Sequence, residues 1–215
     1  MATLTLTRPQ FDRACQALAR NHTPSYLKSW SWKEHSTYPG LGYLSRTLTL
    51  PCPADGLAEQ DAVDEEPHGD LADSEEDAAS IPPESVRLTT VQLYVVWSPS
   101  FQVPALYFSA HHDNGTPLNL AEICRLSLFR QHALSGEQVA SFALQDRASS
   151  MALLSQGDHP TLGTPCWYIH PCNTSAVVGE IMAEVDDASW TDEERGVRWM
   201  EAWFMVEANM ICLEE

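Results

Sequence analysis

Apolar positions recur at two periods along this chain, and the alternation between the periods predicts its elements. Phe11, Ala14, Cys15 and Leu18 repeat at helical spacing. Thr7-Arg8-Pro9-Gln10 precedes them as a start signal, with a Thr N-cap, proline in the first turn and Gln three residues on. The spacing predicts an amphipathic helix ending between Asn21 and Pro24. Ser29 to His35 and Tyr43 to Leu50 then alternate in part, with Pro39-Gly40-Leu41-Gly42 as turn material between them. They read as neighbouring antiparallel strands. Val86 to Trp97 and Pro104 to Ala110 read as two more, joined through Ser98-Pro99-Ser100.

Beyond the Asp113-Asn114-Gly115 turn, Leu120, Ile123, Leu126 and Leu128 predict a helix over Leu118 to Phe129. Gly136 to Ser150 shows no clear period. Met151 to Leu154 suits a short strand, and His159 to Gly163 a loop. The aromatic and β-branched run Cys166 to Ile169 is a strand that Pro171 must end, because proline brings no N–H and disfavours helical backbone in the residue before it. Asn173 is a suitable N-cap for a helix from Ala176 to Met182. Thr191-Asp192-Glu193-Glu194 opens a last helix carrying Val197, Trp199, Met200, Trp203, Phe204 and Val206, an arc so wide that it must be packed, most simply in the core. The layout is α+β: an antiparallel meander with helices packed on one side.

Charge alters this picture at one place. The net charge is −18 over 215 residues, which argues against a nucleic-acid or anionic-membrane partner. Of the 30 acidic residues, 12 fall between Asp55 and Glu84, where there is no Lys, Arg or aromatic residue; elsewhere 18 acidic face 12 basic residues. Residues 51–84 are thus expected to be a disordered acidic loop within one domain spanning 1–215, because they cannot bury enough apolar surface to offset their ordering entropy. Deleting Asp55 to Glu84 and bridging the ends with a short Gly/Ser linker should leave the melting temperature nearly unchanged. Loop closure changes by only about 0.6 kcal/mol per halving of length. A fall of many degrees by calorimetry would mean that the segment is docked.

The start of the chain lacks a basic stretch followed by an apolar core, and no apolar run is long enough to span a bilayer, so a cytoplasmic protein with no transmembrane segment is expected. Six scattered cysteines (Cys15, Cys52, Cys124, Cys166, Cys172, Cys212) then read as free thiols. No Cys-x-x-Cys pair supports a metal, and no cofactor is indicated. Cys172 is distinctive. It falls just past a strand end, beside the first exposed amides of a helix, where a thiolate is stabilised. A small core residue is the competing interpretation.

Three stretches resemble one family: Ser100 to Phe108 (Ser-Phe-Gln-Val-Pro-Ala-Leu-Tyr-Phe), Gly115-Thr116-Pro117-Leu118, and His159-Pro160-Thr161-Leu162-Gly163 leading to His170-Pro171-Cys172-Asn173-Thr174. Their order and spacing are similar, from about Trp30 to Met182, to the autophagy-related protein ten family of E2-like conjugating enzymes. The Gln-Val-Pro-x-Leu-Tyr-Phe strand separates it from the sister family, autophagy-related protein three, of the lipidation branch. The resemblance implies a variant ubiquitin-conjugating fold. It also implies that Cys172 takes a ubiquitin-like modifier, autophagy-related protein twelve, as a thioester from the E1-like autophagy-related protein seven. The modifier would then pass to a lysine of autophagy-related protein five.

That chemistry needs a thiolate, a donor for the oxyanion, and help for a lysine whose free pKa is about 10.4. Ordinary ubiquitin-conjugating enzymes use the asparagine of a His-Pro-Asn triplet. Here the echo is His159-Pro160-Thr161, without an amide, so the resemblance points instead to His170 and Tyr107. Each has a plainer alternative: His170 as partner of a strand-end carbonyl, Tyr107 as a half-buried strand aromatic. Two rival functions stay open at this stage. One is an inactive E2-like binding module. The other is a hydrolase in which His132 or His159 serves Cys172 as base.

Overall fold

The computed structural model of the chain describes residues 5–21, 29–52, 87–130, 133–134, 137–140, 143–145 and 152–213. The acidic segment lies outside the described residues from position 53 on, as does His132. In chain order the elements are α1 (Arg8–Asn21), β1 (Ser31–Glu34), β2 (Gly42–Cys52), β3 (Arg87–Ser98), β4 (Val103–His112), α2 (Leu120–Cys124), β5 (Glu137–Ala140), β6 (Ala143–Gln145), β7 (Ala152–Asp158), β8 (Pro165–Ile169), α3 (Thr174–Val185) and α4 (Asp192–Glu207).

The strands form one antiparallel sheet in the order β1-β2-β3-β4-β8-β7-β6-β5. Two meanders therefore meet back to front, one from β1 to β4 and one from β5 to β8. Their seam is short, with Tyr107 opposite Tyr168 and Phe108 opposite Trp167. Because side chains alternate across the sheet, this register sorts the faces. Leu93, Phe108 and Trp167 stand in one row and Leu44, Val95 and Leu106 in the next, all buried. Against that face pack Phe11, Ala14, Cys15 and Leu18 of α1, Val178 and Met182 of α3, and Trp199, Met200, Trp203 and Phe204 of α4. At about 1.5–3 kcal/mol for each large side chain removed from water, these rows are what hold helices to sheet. The other face carries Ser45, Tyr94, Tyr107 and Tyr168 and is only part covered.

Three expectations need adjustment. The helix expected over Leu118 to Phe129 is a five-residue turn, Leu120–Cys124, closed at its start by an Asn119–Glu122 capping box. Beyond it the backbone is drawn to the C-terminal segment instead: Cys212 N–H donates to Leu128 O at 2.7 Å and Arg130 N–H to Met210 O at 3.0 Å. Leu126 and Leu128 are buried in either geometry, so their spacing could not tell the two apart. The segment without a clear period holds β5 and β6 at the sheet edge. At α1, Thr7 N–H does donate to the Gln10 side chain at 2.8 Å, but its hydroxyl binds that same oxygen rather than a backbone amide.

Near the end of α4, Glu207 is buried with one carboxylate oxygen unpartnered, and burial pushes its pKa up to about 8. The fold thus accommodates the neutral acid. Stability from this group is complete below the ordinary carboxyl pKa and is lost as pH rises through about 8. Glu207→Gln should therefore raise the melting temperature at pH 8–9 and leave it unchanged near pH 5, as read by thermal melts across that range. Equal shifts at both pH values would contradict this.

Candidate active site

β8 delivers the cysteine. His170, which precedes proline, is held extended (φ −73°, ψ 120°), and Pro171 opens a 3₁₀ turn, Pro171–Asn173, that runs directly into α3. Asn173 is itself helical (φ −98°, ψ −6°) and its side chain caps nothing, so the cap expected there is absent. The fixed φ of Pro171 starts the turn two residues earlier than polar capping would. Cys172 consequently sits inside the first turn, half-exposed, and that turn packs against β4. The five cysteines among the described side chains are all free. Cys166, on β8, is buried, and that burial pushes its pKa up.

The β4–β8 seam brings the predicted pair onto one face. Tyr107 stacks on Tyr168 (centroids 5.2 Å, 25° between planes), and Tyr168 lies 6.2 Å from the His170 ring. Burial first, then Tyr168 and Cys166, push the Tyr107 pKa up, so its phenol keeps its proton at neutral pH and is available as a donor. Burial lowers the pKa of His170, which leaves the imidazole neutral and able to accept a proton. The His170 backbone N–H donates to the Leu153 carbonyl at 3.2 Å, while the side-chain Nδ1 is buried without a partner among the described residues.

Sequence reasoning missed the residue that organises the rest of this face. His159 is fully buried, its ring centroid 4.7 Å from that of Tyr94, 4.9 Å from Tyr43 and 5.9 Å from Tyr107. Its Nδ1 accepts backbone N–H bonds from Thr161 and Leu162, both at 3.1 Å, and burial brings its pKa down to about 4. The proton therefore resides on Nε2, and the ring serves as a neutral post joining the loop to three strands. It makes no hydrogen bond to Cys172, so the hydrolase arrangement built on His159 has no geometric support. The sequence marked this position only through the His-Pro echo and as a candidate hydrolase base; the tyrosines around it become legible once β2, β3 and β4 are in register. Among the described residues no group of three His, Cys, Asp or Glu side chains is arranged to hold a metal ion. No described helix is long and apolar enough to cross a membrane.

Residues 10–215, which include Tyr107, His159, His170 and Cys172, match the family described as autophagocytosis associated protein, active-site domain. The chain belongs to that family. Among curated proteins it is similar to the ubiquitin-like-conjugating enzyme ATG10 of Homo sapiens, 24% identical over 124 residues, which is 57% of this chain and 48% of that protein. The enzymes of the same name from Dictyostelium discoideum (27% over 105 residues; 48% of this chain, 41% of the relative) and Arabidopsis thaliana (25% over 126 residues; 56% and 48%) are similar too. The chain spans about half the length of the curated relatives it matches. Membership of the family agrees with the fold: an antiparallel sheet, helices on one face, and a cysteine turn between the last strand and the next helix.

Proposed function

We propose that this chain is an E2-like conjugating enzyme of autophagy, acting in the cytosol, which carries a ubiquitin-like modifier as a thioester on Cys172. The observation that carries this reading is the half-exposed Cys172 in the turn after β8, inside the span matched to the family's active-site domain. The thiolate attacks the modifier's activated C-terminal carbonyl, held on an E1-like enzyme, and the E1 thiolate departs. An acceptor lysine then attacks the new thioester. His170 takes a proton from the attacking nitrogen, the Tyr107 hydroxyl donates to the oxyanion, a C–N bond forms, and Cys172 leaves as thiolate. In this proposal the modifier is autophagy-related protein twelve, the E1 protein seven and the acceptor protein five, a reading supported by the likeness to enzymes named ATG10.

The deciding experiment is a charging assay with E1, ATP and modifier, analysed with and without reductant. A reductant-sensitive adduct on the wild-type chain is the expected result. Its absence with a competent E1 would leave an inactive E2-like binding module, and turnover of a small thioester without E1 would restore the hydrolase.

A further inference from the structure

His170 is flanked on its outer side by a residue that the proposed mechanism has not used. The β3–β4 connection, Ser98–Gln102, places Phe101 edge-on to the imidazole, with centroids 5.3 Å apart and planes at 78°. Phe101 is 39% exposed. An aromatic ring left that open at a turn tip forgoes much of its burial energy, so the core does not explain its presence. The next residue, Gln102, lies in the left-handed region at φ 54°, which costs a residue with a Cβ about 1 kcal/mol or more.

The turn is held in this shape from behind. Gln102 N–H donates to Ser98 O at 2.8 Å, Leu6 N–H donates to Gln102 O at 2.9 Å, and Trp97 Nε1–H donates to Leu6 O at 2.8 Å. Leu6 is buried, so the segment leading into α1 clamps the turn to the body of the protein. Strain and exposure concentrated beside a candidate catalytic group are characteristic of a device for placing it.

We propose that Phe101 is the positioning residue for His170: its ring fixes the imidazole next to the Cys172 turn and keeps water from one side of it, so that an acceptor amine meets a neutral base in a single orientation. This rests on the conjugating-enzyme reading above. Among the described residues, the imidazole without the Phe101 ring keeps Tyr168, 6.2 Å away, as its ring neighbour. The phenol of Tyr168 and, two positions on from His170, the thiol of Cys172 are the titratable groups nearest it along the chain; the turn 98–102 contributes none, and among the described residues burial, not a charged neighbour, is what lowers the His170 pKa. Hydration is therefore the main influence that removal of Phe101 would change.

The test compares Phe101→Ala with Phe101→Tyr, which keeps the ring. Nuclear magnetic resonance titration of the His170 imidazole, assigned by difference with His170→Ala, should show its midpoint rising toward the ordinary value of about 6.5 in Phe101→Ala and staying at the wild-type position in Phe101→Tyr. Single-turnover discharge of pre-charged Phe101→Ala to the acceptor protein should be about 10- to 100-fold slower at saturating acceptor, with Phe101→Tyr close to wild type. A wild-type titration in Phe101→Ala overturns the proposal. So does a change confined to the acceptor's half-saturating concentration, which would make Phe101 a docking contact. The titration needs neither E1 nor modifier, so failure of the positioning role is separable from failure of wild-type charging.

Discussion

Cys172→Ser is expected to abolish the reductant-sensitive adduct entirely and to accumulate a reductant-resistant, alkali-labile oxyester in its place, while Cys166→Ser still forms the thioester. The contrast is geometric. Cys172 is half-exposed in the 3₁₀ turn, whereas Cys166 is 4% exposed, hydrogen-bonded to Thr164, and raised in pKa by burial. A buried thiol is hard to ionise and hard to reach, so exchanging it for serine removes packing and a weak hydrogen bond but no nucleophile. The oxyester persists because an alkoxide is a much poorer leaving group than a thiolate. The measurement is gel analysis of charging reactions with and without reductant, followed by mild alkali. A folded Cys166→Ser that cannot charge, beside a Cys172→Ser that charges as a thioester, would reassign the nucleophile.

Tyr107→Phe and His170→Ala should each still load modifier from E1 yet discharge it slowly. Loss of one oxyanion donor typically costs about 10²- to 10³-fold. Loading depends on the Cys172 thiolate, whereas discharge needs a donor at the new oxyanion and a base for the incoming amine, so the damage falls on the second half-reaction. The two variants separate by pH. The free amine fraction of a lysine with pKa about 10.4 rises roughly tenfold per pH unit between 7 and 9, so alkaline pH should partly rescue His170→Ala. It should not rescue Tyr107→Phe, because burial holds the wild-type phenol above its ordinary pKa of 10 and protonated across that range. Since the His170 pKa is lowered, the wild-type base is neutral at pH 7 and is lost only as pH falls through that depressed value. Single-turnover discharge across this window checks both. Wild-type rates in both variants would reduce the two residues to structure.

How much of this site could be read from the chain varies from residue to residue. The strand at Cys166–Ile169, its stop at Pro171 and the helix that follows are local matters of β-branched sterics and proline geometry, and all three appear where the pattern places them. The same is true of α4, whose capping box at Thr191 and Glu194 and wide apolar arc are present in full. Asn173 misled because two good start signals compete there, and the fixed φ of Pro171 outweighs a polar cap two residues further on.

What only the tertiary structure decided is adjacency. Nothing local to Tyr107 indicates that Tyr168, sixty-one residues later, will lie opposite it, since that pairing exists because the second meander begins with β5 at the far edge and builds inward through β6 and β7 until β8 meets β4. Register across such a seam is selected by which rows of side chains become buried together, here Leu93, Phe108 and Trp167, and the outward row of Tyr94, Tyr107 and Tyr168 follows as its alternate. The burial of His159 and the contact of Phe101 with His170 belong to the same class. The sequence by itself therefore determined the position of the candidate cysteine, in a turn between a strand and a helix, and the elements around it, because backbone sterics and side-chain period act over a few residues. The grouping of Tyr107, Tyr168, His159 and Phe101 on the His170 side of the sheet was left to long-range burial, which acts on the whole chain at once.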